Sequence, residues 1–478
     1  MSFQLSPELD KNKVFLVMRS ELEGVWNADF YSQTFFENRK KIRSNLYGVK
    51  KLSKIAVKIT KGETPLWRGD KYQSKGVLFV KSENILENEL NILSNDRISE
   101  LVHTRMKRSQ LRKNDVLFNI VGASIGRACV FNIDEDANIN QAVSLIRIGR
   151  GYSPYWVAIV LNSMPYQIWI KQLKSGGARD NIDLHQINDF ELPNHPISVQ
   201  NQIVAKMNAA YATKKQKEAE AQRLQDSVDD YLLGELGIEL PEQEDNTIQS
   251  RIFTRRLSEV SGGRFDPIYY FSDLQRLVTG DYQQVKIRDI AIRIVSGVGA
   301  GKQDQANEND GIIQIRPTNI DSNGELKYDR NVYLPFDLKF EKINIDDVLF
   351  NNTNSQILVG KTSILKENRE LFFSNHITKI TVDKSQISPD YLANILNSYQ
   401  KHSVFYSICT NWNNQSGVGL DLLKSLSIPL LPLEKQTEIA NHITKIRNQS
   451  KQLRQQAKAE LEQAKKEVEA MILGEATD

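Results

Sequence analysis

The chain has 478 residues, 40% of them hydrophobic and 25% charged, and a formal net charge of +3. That length leaves room for two domains with cores of their own, and the composition suggests neither a disordered nor a membrane protein. Two cysteines, Cys129 and Cys409, give neither a disulfide framework nor a metal cluster and are expected as small buried hydrophobes.

The start, Met1-Ser2-Phe3-Gln4, is polar and no apolar run approaches a bilayer span, so a cytoplasmic protein without a membrane segment is expected. From Arg39 to Lys61 every charged side chain is basic, a pattern that fits either a solvated face or a phosphate-facing surface. Short strand-like runs follow at Gly76-Val77-Leu78-Phe79-Val80, Asp115-Val116-Leu117-Phe118 and Ala142 to Ile148, with a helical pattern from Tyr155 to Leu173. Between Val285 and Pro432 the same kinds of element return, at Ile312 to Ile315, Asp347 to Phe350 and Ile377 to Val382. Short strands mixed with few helices predict α+β modules.

The second set repeats the first. Asn114-Asp115-Val116-Leu117-Phe118 falls on Asp346-Asp347-Val348-Leu349-Phe350, Asn140 on Asn375, and Pro154 on Pro389. Leu192-Pro193 with Gln200 falls on Ile428-Pro429 with Gln436, and Leu233-Gly234 on Leu473-Gly474. The offset drifts slowly, as duplication followed by small insertions leaves it.

After each module comes a helix with an apolar seam. The first runs through Ile203, Met207, Ala210, Lys214, Lys217, Ala221, Leu224, Val228 and Tyr231. The second runs from Ile439 to Met471 with a stutter at Ala457. Lys214 and Lys217 weaken a homodimeric coil, so the two helices are expected to pair with each other, antiparallel and under a pseudo-twofold axis. Gln200 to Leu233 makes a rod of about 50 Å, with a module expected at either end. The expected order is a first module at 1–196, a helix at 197–237, a linker at 238–258, a second module at 259–432 and a second helix at 433–478. The acidic stretch Pro241 to Asn246 reads as the exposed part of that linker.

Three motifs imitate catalytic chemistry. Gly122-Ala123-Ser124-Ile125-Gly126 matches a nucleophile elbow, but the repeat keeps only a polar turn and the final Gly360. Ser355 to Thr362 resembles a phosphate-binding loop with Ser355 where the first glycine belongs. Asp266-Pro267-Ile268-Tyr269 is a poor match to the Asn-Pro-Pro-Tyr of adenine methylases, and the six histidines lack metal-ligand spacing. The chain reads as one that positions something and leaves the chemistry to others.

Several stretches taken together resemble the specificity subunit of type I restriction-modification enzymes. They are Gly62-Glu63-Thr64-Pro65, the Asp-Val-Leu-Phe strand leading into Gly122 to Arg127, Asn140-Gln141-Ala142, and above all Ile428-Pro429-Leu430-Leu431-Pro432-Leu433-Glu434-Lys435-Gln436. The second module departs from the pattern, lacking Gly-x-Thr-Pro and carrying His376 where Gln141 stands. The resemblance implies a non-catalytic subunit with two target recognition domains, each reading one half of an asymmetric, bipartite site in double-stranded DNA. It implies helices that set the gap and dock two modification subunits bringing S-adenosylmethionine, with restriction subunits adding ATP and Mg. A recognition subunit of a type IIB-like system and a tandem protein-binding scaffold without DNA are the competing readings.

Base readout needs polar side chains on loops that reach a groove, with cations on the phosphates. In the first module the candidates are Lys61, Thr64, Trp67, Arg68, Lys71, Tyr72 and Lys75, then Ser124, Arg127 and Gln141, then Lys174, Arg179 and Asn181. In the second they are Lys302, Gln303, Arg316, Asn319, Gln356, Lys361, His376, Asn411, Trp412 and Asn414. The two sets differ while the framework repeats, which predicts two different half-sites.

Overall fold

The computed structural model describes residues 6, 9–10, 14–19, 22, 27–92, 96–175, 181–238, 247–249, 252–254, 256–260, 282–412 and 415–475. They form two compact units, one of Met1–Glu218 with Arg454–Asp478 and one of Ala219–Leu453. The expected acidic linker stretch 241–246 lies outside the described residues.

In the first unit a four-stranded antiparallel sheet has the order Ala56–Lys61, Val143–Ile148, Val116–Asn119, Ala128–Val130. A smaller sheet places Val77–Val80 between Asp96–Ile98, antiparallel, and Ala137–Ile139, parallel. The run Val116-Leu117-Phe118 is fully buried because both faces of its sheet are covered. Side chains alternate along a strand, so Val116 and Phe118 pack with Trp156 and Val160 of the helix Pro154–Asn162, while Leu117 packs with Leu78 and Phe131.

The second unit repeats this order. Its four-stranded sheet is Ala291–Ser296, Ile377–Val382, Val348–Asn351, Thr362–Ile364. Gly311–Ile315 lies between Tyr333–Pro335, antiparallel, and Phe372–Phe373, parallel. An additional sheet, Thr353–Asn354 with Gln415–Gly417 and Thr410–Trp412, stands where the first unit has only the bridge between Val121 and Asn181 among its described residues.

The ladders correct one detail of the repeat. Gly62 N donates to Val143 O and Gly297 N to Ile377 O, while Ile120 N donates to Ala142 O and Asn352 N to His376 O. Ala142 therefore corresponds to His376, Gln141 to Asn375, and Asn140 to Ser374. The expected match of Asn140 with Asn375, and of Gln141 with His376, is out by one residue, because the identity of two asparagines suggested a register that strand pairing overrules.

The long helices run Ile197–Glu235 and Leu433–Leu473. Each begins with a fully buried glutamine. Gln200 Nε2 donates to His195 O at 2.9 Å and its Oε1 accepts from Ser153 N at 2.8 Å. Gln436 does the same, with Leu431 O at 2.7 Å and Ser388 N at 2.8 Å. Ser153 and Ser388 are themselves N-caps of helices that start with Pro154 and Pro389, so one glutamine ties each long helix to its module.

Within each unit the two helices run antiparallel. In the first, Lys206 pairs with Glu467, and Lys217 with Glu460 at 2.5 Å; in the second, Glu235 pairs with Lys435 at 2.7 Å and Ser450 Oγ donates to Ala221 O at 2.8 Å. Lys217, a poor core residue on the expected seam, is accommodated by that carboxylate. The end of the first helix, with Leu232, Leu233 and Leu236, is buried in the core of the second unit, and Leu461, Val468 and Ile472 of the second helix in the core of the first. No helix among the described residues is long and apolar enough to cross a membrane.

Candidate nucleic-acid interface

In both units the candidate residues gather at one end of the four-stranded sheet. In the first, that end is marked by Lys61, Asn119, Ala128 and Val143, and the loops leaving it are 62–76, 120–127 and 140–142. In the second it is marked by Ser296, Asn351, Thr362 and Ile377, with loops 297–310, 352–361 and 374–376 and the hairpin 410–417.

Two glycines let these loops close up. A Cβ on Gly62 would lie 1.9 Å from Ile139 O, and one on Gly297 would lie 2.0 Å from Phe373 O. Gly297 is thus the second module's counterpart of the Gly62-Glu63-Thr64-Pro65 glycine. Sequence reasoning missed it because the Thr-Pro that marks the motif is replaced by Gly299-Ala300. The spacing from the following strand would have found it.

Across the loops of the first unit, Thr64 Oγ1 donates to Oε1 of the half-buried Gln141, which engages the oxygen of that amide. Lys61, Lys71, Lys75 and Arg127 are exposed and Lys174 is half-buried, while Asn181 is exposed beside Val121. Tyr72 instead packs on Phe79, ring centroids 5.4 Å apart, under the ammonium of Lys81, and burial raises its hydroxyl pKa. Ser124 is half-buried and accepts from Asn119 Nδ2 at 3.0 Å, the setting of a turn residue. The side chains of Trp67 and Arg68, and the whole of Arg179, lie outside the described residues.

The second unit organises an arginine. Arg316 Nε donates to Gln314 Oε1 at 2.9 Å and Nη2 to Ala300 O at 3.3 Å, while Gln314 Nε2 is anchored on Val298 O at 2.9 Å. The guanidinium is held on one edge and has further donors to offer. Burial, and then the Arg316 charge, depress the pKa of His376, which keeps a neutral imidazole beside the cation. Lys302, Gln303 and Asn411 are exposed; Gln356 is half-buried with Nε2 on Tyr406 O at 3.0 Å. Trp412 is 52% exposed, its ring lying where a side chain on Gly417 would be. Asn414 lies outside the described residues.

Two expectations are corrected. Asn319 is 1% exposed, accepts from Arg316 N at 2.9 Å and donates to Lys327 O at 2.9 Å. Asn84 makes the same turn in the first unit, accepting from Lys81 N at 2.8 Å, so this asparagine belongs to the framework. Lys361 points its ammonium onto the carbonyls of Ile320 and Pro317, and burial lowers its pKa. It caps backbone acceptors where Arg127, at the same place in the first unit, is exposed.

Residues 280–463 match the family described as the Type I restriction modification DNA specificity domain. Among curated proteins, the type I restriction enzyme EcoBI specificity subunit of Escherichia coli is 32% identical over 140 residues, 29% of either chain. The putative type I restriction enzyme MjaX specificity subunit of Methanocaldococcus jannaschii is 33% identical over 105 residues, 22% of this chain and 25% of that one. The matched segments thus span under a third of these relatives. A solved structure concerned with complex assembly in the type I R-M system shares the fold, with a TM-score of 0.52 and 14% identity over 90% of this chain and 97% of that one. The stretch that matches the Type I restriction modification DNA specificity domain, residues 280–463, thus lies on an α+β fold that the same chain builds once before it.

Proposed function

We propose that the chain is the DNA sequence-specificity subunit of a type I restriction-modification enzyme. Each unit reads one half of an asymmetric bipartite site in double-stranded DNA through the loops at the end of its four-stranded sheet. The long helices fix the spacing of the two halves and dock two modification subunits, which bring S-adenosylmethionine; restriction subunits supply ATP and Mg. The chain itself does no bond chemistry.

The observation that carries this reading is one scaffold with two sets of side chains. Gly62 and Gly297, Asn84 and Asn319, and Asn119 and Asn351 hold the same framework places, while Gln141 faces Asn375 and Arg127 faces Lys361 across the repeat. Framework retention with divergent loop ends fits two readers of different sequences. Exchanging the loops 62–76, 120–127 and 140–142 for those of another specificity subunit tests it. The proposal requires a change in one half of the recognised site with the other half intact, and a change in both halves would defeat it.

A further inference from the structure

The two units also differ in charge at a place away from these loops. Lys58 lies in the strand Ala56–Lys61 directly opposite Arg147. Arg147 is fixed by Asp115, with Nε to Oδ1 and Nη2 to Oδ2 both at 2.7 Å, and its Nη2 also reaches Gln110 O at 3.4 Å. That bond brings the segment 107–112 against the strand, with Arg108 and Arg112 on either side of Gln110. Asp115 is 1% exposed and is consumed by Arg147 and by the amide of Arg112. No carboxylate pairs with Lys58, Arg108 or Arg112 among the described residues, and Arg108 and Arg112 are exposed.

The second unit has the same backbone and the opposite solution. Leu111 N donates to Ala137 O and Ile343 N to Leu371 O, which aligns 107–112 with 339–344. Arg108 then corresponds to Phe340, Ser109 to Glu341 and Arg112 to Asn344. Lys58 corresponds to Arg293, whose guanidinium is clamped by Glu341 at 2.6 and 2.8 Å, with Lys379 on the same carboxylate at 2.7 Å. The pair holds Glu341 down at about 2. One scaffold position is therefore neutralised in the second unit and left as a cluster of cations in the first.

We infer that Lys58, Arg108 and Arg112 form a phosphate-binding site for the backbone of duplex DNA, present in the first unit and absent from the second. This rests on the DNA reading proposed above and deepens it. The cluster sits near the Ile148 end of the sheet, whereas the reading loops leave at the Val143 end, so it engages phosphates apart from the bases being read. Crowding the cations has a cost in the free protein: burial first, then Arg147, Arg112 and Arg108, lower the Lys58 pKa against the opposing pull of Asp115. A run of phosphodiesters relieves that repulsion, and each phosphate neutralised releases counterion. The result is a subunit that grips DNA asymmetrically, more firmly through its first half.

The test is duplex binding by the full chain as a function of salt, for the parent, for K58Q/R108Q/R112Q, and for a charge-matched control, K171Q/K286Q/R288Q. The expected result is that the first variant lowers the slope of log affinity against log salt by roughly 2 to 3, at about 0.9 per phosphate, with an unchanged Tm. The control keeps the parent slope. If the parent shows no salt-dependent duplex binding, the DNA reading itself fails. If the parent binds and the cluster variant retains its slope, or the control loses as much, the phosphate site is overturned while the DNA reading stands. Restoring cations with K58R/R108K/R112K should recover the slope, which a merely structural role would not require.

Discussion

Asp229 of the first long helix closes on Nε2 of His402, at the end of the helix Pro389–Lys401. The same carboxylate accepts from Ser398 Oγ at 2.8 Å. Burial pushes its pKa up, but the bonds from His402 and Ser398 and the charges of His402 and Lys401 outweigh that, and the folded value lies below 3.8. In the first unit Glu469 plays the corresponding part, accepting from Met164 N at 2.7 Å. Each module is thus held by an acidic residue on the helix that follows the other module.

Asp229→Asn should therefore destabilise the second unit by about 1–3 kcal/mol at neutral pH. A depressed carboxyl pKa contributes stability that is present above its unfolded value and lost as pH falls through the folded one. Urea denaturation at stepped pH should show the parent converging on the variant below pH 3.8, the ordinary carboxylate value here. A constant gap down to the most acid point would contradict the linkage.

His195 has the same pH dependence from a different cause, burial without a partner. Its ring packs edge-on to Trp156 and Tyr47, centroids 5.7 and 5.2 Å away, and neither ring nitrogen has a hydrogen-bond partner. Burial lowers its pKa from 6.5 to about 4. The unfolded chain takes up the proton first, so stability is lost as pH drops from 6.5 towards 4. The second unit places Leu431 here, buried at 3% exposure. His195→Leu should flatten the acid limb and gain roughly 2 kcal/mol over the parent at a pH near 5, read by thermal melting. A variant that melts with the parent's pH profile refutes this.

Gly62→Ala and Gly297→Ala each force a methyl into a backbone carbonyl, at 1.9 and 2.0 Å. The expected loss is on the order of 2–4 kcal/mol for each. Hydrogen exchange should report the loosening in the strand whose first carbonyl accepts from that glycine's amide, Val143–Ile148 for the first and Ile377–Val382 for the second. Protection unchanged in those strands would mean that the loops can part without cost.

Arg316→Ala should relax the second half-site at one base position and leave the first half untouched, at about 1–3 kcal/mol of discrimination. Arg316→Lys should not restore it, because a lysine cannot span Gln314 and Ala300 and still present a planar edge. Competition binding against single-base variants of the site measures both. Uniform weakening across all variants would reassign Arg316 to phosphate contact.

The framework was legible because it is built from local chemistry that survives duplication. The buried glutamines at Gln200 and Gln436, the Ser-Pro helix starts at Pro154 and Pro389, and the Val-Leu-Phe strands each solve a local problem, and each appears twice. The site was legible only as loops. Asn319 has the composition of a base reader, and nothing local says that its amide is spent on Arg316 N and Lys327 O. Gln141 and Asn375 could not be matched by identity, since their equivalence is a matter of strand pairing. The cluster at Lys58, Arg108 and Arg112 is scattered over the chain and is assembled by Arg147 across the sheet.

The most direct test of the account is to express the chain with its neighbouring modification subunit and map methylated adenines across the host genome by single-molecule sequencing. The account predicts one new bipartite motif with two unlike halves and a fixed gap. An intact, active complex that adds no such motif, or methylates a single continuous sequence, would contradict it.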